Sequence, residues 1–349
     1  MDYGPAYETY AGRRIGLFGG KFFPPHSGHV KMALEASREV DVLFVVVQDD
    51  EVHEAGLIQH TNFAPVSQKL RERWLTEIFK DNPKIRVLSF YETRVVDYET
   101  NPLLVEEYKE LQNLIGEVSV VFSGEPEYTP YFRHVLPHAE IRVLEKDPRI
   151  SATWIREDLY SKWDFLPDPV RRYYQKRIVF CGTESAGKSF TSAHIGRELG
   201  FEVLPEYGRT YFESLGGYGD IEVEHDFLRI ASGHIQQLQH AVVDIPVLIL
   251  DTDLIYTQYF YREAYGRLNP ALDVLIRSEI DKADLYLFLE PDVFDDDGSR
   301  FRISETQRWK NSEKLFELYE FYGRRPVRLS GTREQRMARA RFESKALLD

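Results

Sequence analysis

The chain has 349 residues, of which 43% are hydrophobic and 29% are charged, a composition that is typical of globular proteins and excludes a disordered one. This length is enough for two domains of ordinary size, each with its own core. The net charge of -13 argues against a protein that coats nucleic acid, because phosphate backbones are bound by clustered Lys and Arg.

The cellular setting follows from cysteine content and hydropathy. Cys181 is the one cysteine, so an intrachain disulfide is excluded, and its place at the end of an apolar run predicts a buried strand residue. No apolar stretch approaches the roughly 20 residues that a membrane span needs, and the first residues lack the order of a signal peptide. We expect a cytoplasmic protein without a membrane partner.

Short apolar runs alternate with helical patterns, such as His29–Arg38 and Val66–Lys80, and this alternation predicts an α/β fold with parallel sheets. The first series of runs is Ile15–Phe18, Val42–Val47, Ile85–Phe90, Val118–Phe122 and Ile141–Leu144. The second is Ile178–Cys181, Val203–Leu204, Val247–Leu250, Leu285–Leu289 and Pro326–Leu329. Pro167 and Pro169 lie between the two series and block helix continuation. We place a domain boundary near Val170, with domains 1–170 and 171–349.

The segment Gly19–His29, here called the histidine loop, follows the first apolar run and opens a helix. A helix N-terminus attracts phosphate, and Gly19 and Gly20 let the backbone approach a ligand closely. His26 and His29 can donate hydrogen bonds to phosphoryl oxygens. Taken alone, the two histidines also fit a surface position or half of a metal site, although Cys or carboxylate ligands are missing nearby.

A second element, Ile150–Arg156, reads as a helix start. Ser151 or Thr153 is the expected cap, and Arg156 lies one turn into the helix. Alone, this pattern also fits a capped helix with a solvated arginine.

The segment Gly182–Ser189, here called the phosphate loop, fits the pattern GxxxxGK[ST] between a predicted strand and the helical run Ser189–Leu199. Its backbone N–H groups are expected to cradle the phosphates of ATP, while Lys188 reaches the β and γ oxygens and Ser189 binds Mg²⁺. The other loop residues expected to bind ATP are Gly182, Glu184, Ser185, Ala186 and Gly187.

Acidic residues follow two strands of the second series, where open α/β sheets bind ligands. We expect Asp251 to hold Mg²⁺ through water and Asp253 to reach a ribose hydroxyl. Glu206 occupies the place where small-molecule kinases have a carboxylate that takes the proton of the attacking hydroxyl. Each acid alone also fits a solvated strand end or a helix cap.

The turn Asp297–Arg300, with Arg302 and Arg308 after it, is typical of a mobile lid that carries arginines. Arg300 is expected to neutralise charge on the transferred phosphoryl group. A surface turn is the alternative.

The histidine loop and Ile150–Arg156 resemble the paired signature GxFxPxHxGH and ISxTxxR of the nucleotidyltransferase superfamily. The resemblance implies a Rossmann-like domain in which His26, His29, Ser151 and Arg156 bind the triphosphate of ATP and stabilise its α-phosphate, without a protein nucleophile. The same motifs include Lys21, Phe22 and Thr153 among the ATP-binding residues. The Gly-Lys-Phe variant is typical of NadR-type nicotinamide mononucleotide (NMN) adenylyltransferases. A tryptophan in the helix of Trp74 is usually a core residue, but in related enzymes an aromatic near this position stacks on the pyridine ring.

The second half resembles the ribosylnicotinamide kinase domain of the NadR family, a P-loop kinase α/β domain. The matching features are Gly182–Ser189, Glu206–Arg209, Leu215–Gly217, Gly233–His234, Asp251–Asp253 and Asp297–Arg300. This resemblance implies that Tyr207 and Arg209 bind substrate. Some family members carry a helix-turn-helix domain at the front, for which the residues before Arg13 are too few, so we expect no nucleic-acid partner.

Together the two resemblances predict a bifunctional enzyme of NAD salvage that uses ATP and Mg²⁺. Its substrates would be nicotinamide riboside, NMN and ATP, and its product NAD. A regulator that senses NAD or ATP through one degenerate site, and a nucleotidyltransferase fused to a kinase for another nucleoside, remain as alternatives. The sequence leaves open whether the chain forms a homo-oligomer.

Overall fold

The computed structural model describes residues 10, 12–49, 51–91, 102–217, 223–292 and 304–348. The chain divides into two compact units, Met1–Tyr173 and Tyr174–Asp349. Val170, near which the sequence places the domain boundary, lies on a helix, Asp168–Tyr174, that ends at this division. None of the helices in the described ranges is both long enough and apolar enough to cross a membrane.

The described strands of the first unit form one parallel sheet in the order β3-β2-β1-β4-β5. They are β1 (Ile15–Gly20), β2 (Val42–Asp49), β3 (Ile85–Tyr91), β4 (Val118–Ser123) and β5 (Glu140–Val143). The helices are α1 (Ser27–Ala36), α2 (Glu51–Ile58), α3 (Gln68–Phe79), α4 (Pro102–Ile115), α5 (Thr129–Val135), α6 (Ala152–Glu157) and α7 (Asp168–Tyr174), with short 3-10 helices at Pro126–Tyr128 and Trp163–Phe165.

The described strands of the second unit form another parallel sheet in the order β10-β9-β6-β8-β7. They are β6 (Lys176–Cys181), β7 (Glu202–Leu204), β8 (Val247–Asp251), β9 (Leu285–Leu289) and β10 (Val327–Leu329). The helices are α8 (Lys188–Leu199), α9 (Tyr207–Ser214), α10 (Glu224–Gln239), α11 (Leu254–Tyr265), α12 (Pro270–Arg277), α13 (Glu305–Phe321) and α14 (Arg333–Lys345).

The apolar runs form strands because helices cover both faces of each sheet, so that successive side chains are all buried. In β2, Phe44 and Val46 pack on one face with α4 and α5, whereas Val45 and Val47 pack on the other face with α1 and α3. Cys181 is buried in β6, as expected. The prediction of two α/β domains with parallel sheets is confirmed.

Candidate functional sites

The first candidate site lies at the carboxyl end of β1, where β2 and β4 lie on opposite sides and ligands of open α/β sheets bind. Gly19 and Gly20 end β1, His26 directly precedes α1, and His29 lies in the first turn of α1. The two imidazole rings stack with their centroids 3.7 Å apart. A Cβ at Gly28 would lie 3.0 Å from the His26 ring, which explains the glycine between the histidines.

Burial and neighbouring cations keep both histidines neutral at pH 7. The pKa of His26 is lowered to about 4, first by burial and then by the charges of Lys146 and Arg156. The pKa of His29 is also lowered, by burial and by the nearby His26 and Lys146. In the described part of the chain, Nδ1 of each ring has no hydrogen-bond partner. Neutral imidazoles can donate hydrogen bonds to a phosphate group, and the two cations beside them can attract it.

Lys146 belongs to no recognised motif, so sequence reasoning misses it. It follows β5, and its Nζ forms an ion pair with Glu125. Its side chain passes Gly124, where a Cβ would lie 3.1 Å from Lys146 Cε. Lys146 therefore reaches the histidines from the far side of β4, a position that only the tertiary fold reveals.

Arg156 connects the second motif to the histidine loop. Ser151 is the N-cap of α6 and accepts a hydrogen bond from Trp154 N at 3.2 Å, so the predicted cap is confirmed. Arg156 donates from Nη1 to the carbonyl oxygen of Phe23 at 2.6 Å and from Nη2 to Oγ1 of Thr153 at 3.1 Å. The two motifs, far apart in sequence, thus meet around one point.

A buried ion pair holds the backbone of the histidine loop from the side of α3. Arg71 donates from Nη1 to the carbonyl oxygen of Lys21 at 2.6 Å and pairs with both oxygens of Glu54, at 2.7 and 3.0 Å. Phe22 has a φ of 49°, and its ring meets the His29 ring edge-on at a centroid distance of 5.1 Å. These contacts fix the path of the loop beside the histidines.

Trp74 is buried on α3, and its ring packs against that of Tyr173 at a centroid distance of 5.3 Å. Its stacking on a pyridine ring stays a prediction.

The second candidate site is the phosphate loop between β6 and α8, in the predicted strand–loop–helix setting. Gly182 has a φ of 137°, and a Cβ there would lie 2.6 Å from a carbonyl oxygen of β9. Gly187, with a φ of 87°, directly precedes α8. Lys188 is buried and donates from Nζ to the carbonyl oxygen of Thr183 at 3.0 Å and to the hydroxyl of Tyr256 at 3.3 Å. The remaining predicted loop residues are Glu184, Ser185, Ala186 and Ser189.

Two predicted carboxylates lie near Lys188, on the side of β6 formed by β8 and β7. Asp251 ends β8, is buried, and has an Oδ1 atom without a hydrogen-bond partner among the described residues. The pKa of Glu206 is raised to about 7, mainly by burial; Asp251 and Glu184 also raise it, whereas Lys188 and Arg209 lower it. These interactions gather the charged residues of the phosphate loop and the two strand ends around Glu206.

Asp253 has a structural role. It is the N-cap of α11, where Oδ1 accepts hydrogen bonds from Tyr256 N at 3.1 Å and from the Tyr319 hydroxyl at 2.7 Å. Burial and the nearby Asp281 raise the pKa of Asp253. A contact with a ribose hydroxyl stays a prediction for this residue.

Tyr207 and Arg209 lie in the first turn of α9, directly after Glu206. The Tyr207 ring packs on α10 at Gly233, where a Cβ would lie 2.0 Å from the ring. The glycine is therefore needed for this packing. Substrate binding by Tyr207 and Arg209 stays a prediction.

Arg336 on α14 is a second residue that sequence reasoning misses, since no motif surrounds it. Its buried guanidinium donates from Nη1 to the carbonyl oxygens of Ala186, at 2.9 Å, and Glu290, at 3.2 Å. Its Nη2 lies 3.1 Å from Oδ1 of Asp292. Arg336 thus joins the phosphate loop to the end of β9.

The predicted lid lies largely outside the described residues. Asp297–Arg300 and Arg302 fall in the range 293–303, so the role of Arg300 stays a prediction. Arg308 is described, and it is buried on α13.

Comparisons with known proteins match two separate segments of the chain to different families. Residues 17–158 match the cytidylyltransferase-like family, and residues 177–336 match an AAA domain family. The trifunctional NAD biosynthesis/regulator protein NadR of Salmonella typhimurium is 30% identical over 290 residues, which cover 80% of this chain and 69% of the relative. The chain belongs to the NadR family.

Solved structures of NadR have the same fold. A structure in complex with NR superposes with a TM-score of 0.73, and one in complex with NAD and AMP-PNP superposes with a TM-score of 0.72. Each match has 23% sequence identity and covers 96% of both chains. The NadR fold, with one parallel sheet in each of two units, therefore extends over nearly the whole chain.

Proposed function

We propose that the protein is a bifunctional enzyme of NAD salvage. The second unit phosphorylates nicotinamide riboside with ATP to give NMN, and the first unit transfers AMP from ATP to NMN, giving NAD and pyrophosphate. The observation that carries this proposal is the presence of two chemically different candidate phosphate sites, each at the carboxyl edge of its own sheet, in a chain of the NadR family. The product of one site is the substrate of the other.

In the first unit, an oxygen of the NMN phosphate attacks the α-phosphorus of ATP, and the bond to pyrophosphate breaks. His26 and His29 donate hydrogen bonds to the phosphoryl oxygens on which charge develops. Arg156 and Lys146 supply the positive charge that neutral imidazoles lack. Arg71 acts indirectly, because it holds the Lys21 carbonyl and hence the path of the histidine loop.

In the second unit, a hydroxyl oxygen of the riboside attacks the γ-phosphorus of ATP, and ADP leaves. Lys188 contacts the phosphate oxygens, while Glu206 takes the proton of the hydroxyl. A pKa of about 7 suits this task, since a general base works best when its pKa lies near the operating pH.

The residues of the second site fit Mg²⁺. Asp251 presents a buried oxygen without a hydrogen-bond partner among the described residues, and the hydroxyl of Ser189 lies in the first turn of α8. Across the described ranges, no group of three or more His, Cys, Asp or Glu side chains is arranged to hold a metal ion. Proteins hold Mg²⁺ through one or two carboxylates together with waters and substrate phosphates, so Asp251 and Ser189 would be sufficient protein ligands. Bound Mg²⁺ would neutralise phosphate charge.

The test is chromatography of the products formed by the purified protein from nicotinamide riboside, ATP and Mg²⁺. We expect NMN first and then NAD, with pyrophosphate equal to NAD. Other nucleosides in place of nicotinamide riboside, each at the same concentration, form the control and should react more slowly. NMN without NAD would assign a degenerate first site, and faster reaction with another nucleoside would overturn the substrate.

A further inference from the structure

An exposed aromatic side chain lies directly beside the phosphate loop of the second unit. Phe190 follows Ser189 in the first turn of α8, and 52% of its surface is exposed. The guanidinium of Arg333 lies over its ring, 5.1 Å from the centroid, and the His194 ring stacks on it at 6.3 Å. Neither Phe190 nor Arg333 has a part in the phosphoryl chemistry described above.

We propose that Phe190 and Arg333 form the adenine subsite of the kinase ATP and thereby set its preference for an adenine nucleotide. The inference rests on the proposed function of the second unit. The adenine ring stacks on the face of Phe190, and the exposed Arg333 side chain moves outward to cover the other face of the base.

The strand order gives the direction of the bound nucleotide. β6 carries the phosphate loop at the centre of the sheet, with β8 and β7 on one side and β9 and β10 on the other. Glu206 and Asp251 lie on the β7 and β8 side, which is therefore the side of the phosphoryl acceptor. The nucleoside end of ATP extends to the opposite side, where the loop from β10 into α14 ends at Arg333.

The start of α14 is fixed against the phosphate loop. Arg336, one helical turn after Arg333, donates to the carbonyl oxygen of Ala186 at 2.9 Å. Gly331, which precedes α14 and has a φ of 95°, donates from its backbone N to Oδ2 of Asp292 at 2.5 Å. The position of Arg333 beside Phe190 therefore follows from backbone that is tied to the site.

The chemistry of the pair suits a purine. A base can stack on an aromatic face and on a planar guanidinium, and both contacts can form while the edges of the stacked groups remain in water. Beside its contacts with Arg333 and His194, Phe190 keeps half of its surface exposed, and a base stacked on its ring would remove apolar surface from water.

The test uses Phe190→Ala and Arg333→Ala in the full chain. We expect the KM for ATP in riboside phosphorylation to rise about tenfold in Phe190→Ala, the scale of one lost base–aromatic contact, with kcat unchanged. Phe190→Trp should restore the KM. The matched control is Phe342→Ala, because Phe342 is exposed on α14 with the Arg339 guanidinium 5.6 Å from its ring, away from the phosphate loop.

A binding arm separates this inference from the proposed function. Titration calorimetry measures the binding of ATP and of inorganic tripolyphosphate to the protein. The part of this binding that Lys188→Ala removes is assigned to the kinase site. Phe190→Ala should weaken the affinity of the kinase site for ATP about tenfold and leave its affinity for tripolyphosphate unchanged. Equal weakening of both, or of neither, overturns the adenine subsite. Wild-type protein that binds ATP in this way but makes no NMN would overturn the proposed function and leave the adenine subsite supported.

Discussion

At the scale of single residues, the environment of Glu206 shifts the pKa of the carboxylate that we propose as the general base of the second site. Burial favours its protonated form, while Lys188 and Arg209 favour the carboxylate, and the pKa of about 7 is the outcome of this competition. A pKa near the operating pH suits the proposed general base, because it combines basicity with a population of the ionised form. The sequence predicts the carboxylate, but its pKa depends on residues from several elements.

The first prediction is that riboside phosphorylation depends on the ionised form of Glu206. The kcat/KM for nicotinamide riboside should fall about tenfold per pH unit below pH 7, where the carboxyl is protonated, and level off above it. Glu206→Gln should remove most of the activity at every pH. Initial rates between pH 5.5 and 8.5 test this, with Glu213→Gln on the exposed side of α9 as the control. A flat profile over that range contradicts the assignment.

The second prediction concerns the histidine pair. His29→Ala should lower adenylyl transfer from ATP to NMN by about a hundredfold, the effect of one lost transition-state donor. Because the pKa values of both histidines are lowered, the wild-type rate should show no inflection near pH 6.5. The NAD-forming rate with supplied NMN measures both. His60→Ala, an exposed histidine in the same unit, should leave the rate unchanged, and full activity of His29→Ala would disprove the role.

At the scale of elements, the strands and the two phosphate-binding loops follow from local sequence, because apolar runs and glycine motifs act within a few residues. The structure places β1, β2, β6 and β8 on the predicted apolar runs, extended by one or two residues. Lys146, Arg336 and the Arg71–Glu54 pair could not be predicted in this way. Each contacts a site from a segment that is distant in sequence. Such a tertiary contact leaves no recognisable pattern in the local sequence.

The third prediction tests one of these tertiary contacts. Arg336→Ala removes the guanidinium that donates to the carbonyl oxygens of Ala186 and Glu290 and that pairs with the Asp292 carboxylate, so the second unit should lose about 2 kcal/mol of unfolding free energy. Kinase activity should fall, since the phosphate loop loses its anchor, whereas adenylyl transfer should persist. Urea unfolding and both activity assays measure this, with the exposed Arg339→Ala as the control. Arg336→Ala protein of wild-type stability and kinase rate would show that the anchor is dispensable.

At the scale of the whole molecule, the net charge and the division into two units together determine how a substitution affects the two reactions. The net charge of -13 repels nucleotides on average, so each proposed site would need its own cations, for which we propose Lys146 and Arg156 in the first unit and Lys188 in the second. Each unit also has its own sheet and its own buried core. A substitution that removes one cation should therefore affect one reaction only.

The last prediction follows from this independence. Lys188→Ala should remove riboside phosphorylation, because the β and γ phosphates lose their direct cation, but should keep adenylyl transfer from supplied NMN. His29→Ala should show the opposite pattern. A mixture of the two variants should make NAD from nicotinamide riboside, since NMN released by His29→Ala is adenylylated by Lys188→Ala. Chromatography of each variant and of the mixture tests this, and loss of both activities in either folded variant would contradict two independent sites.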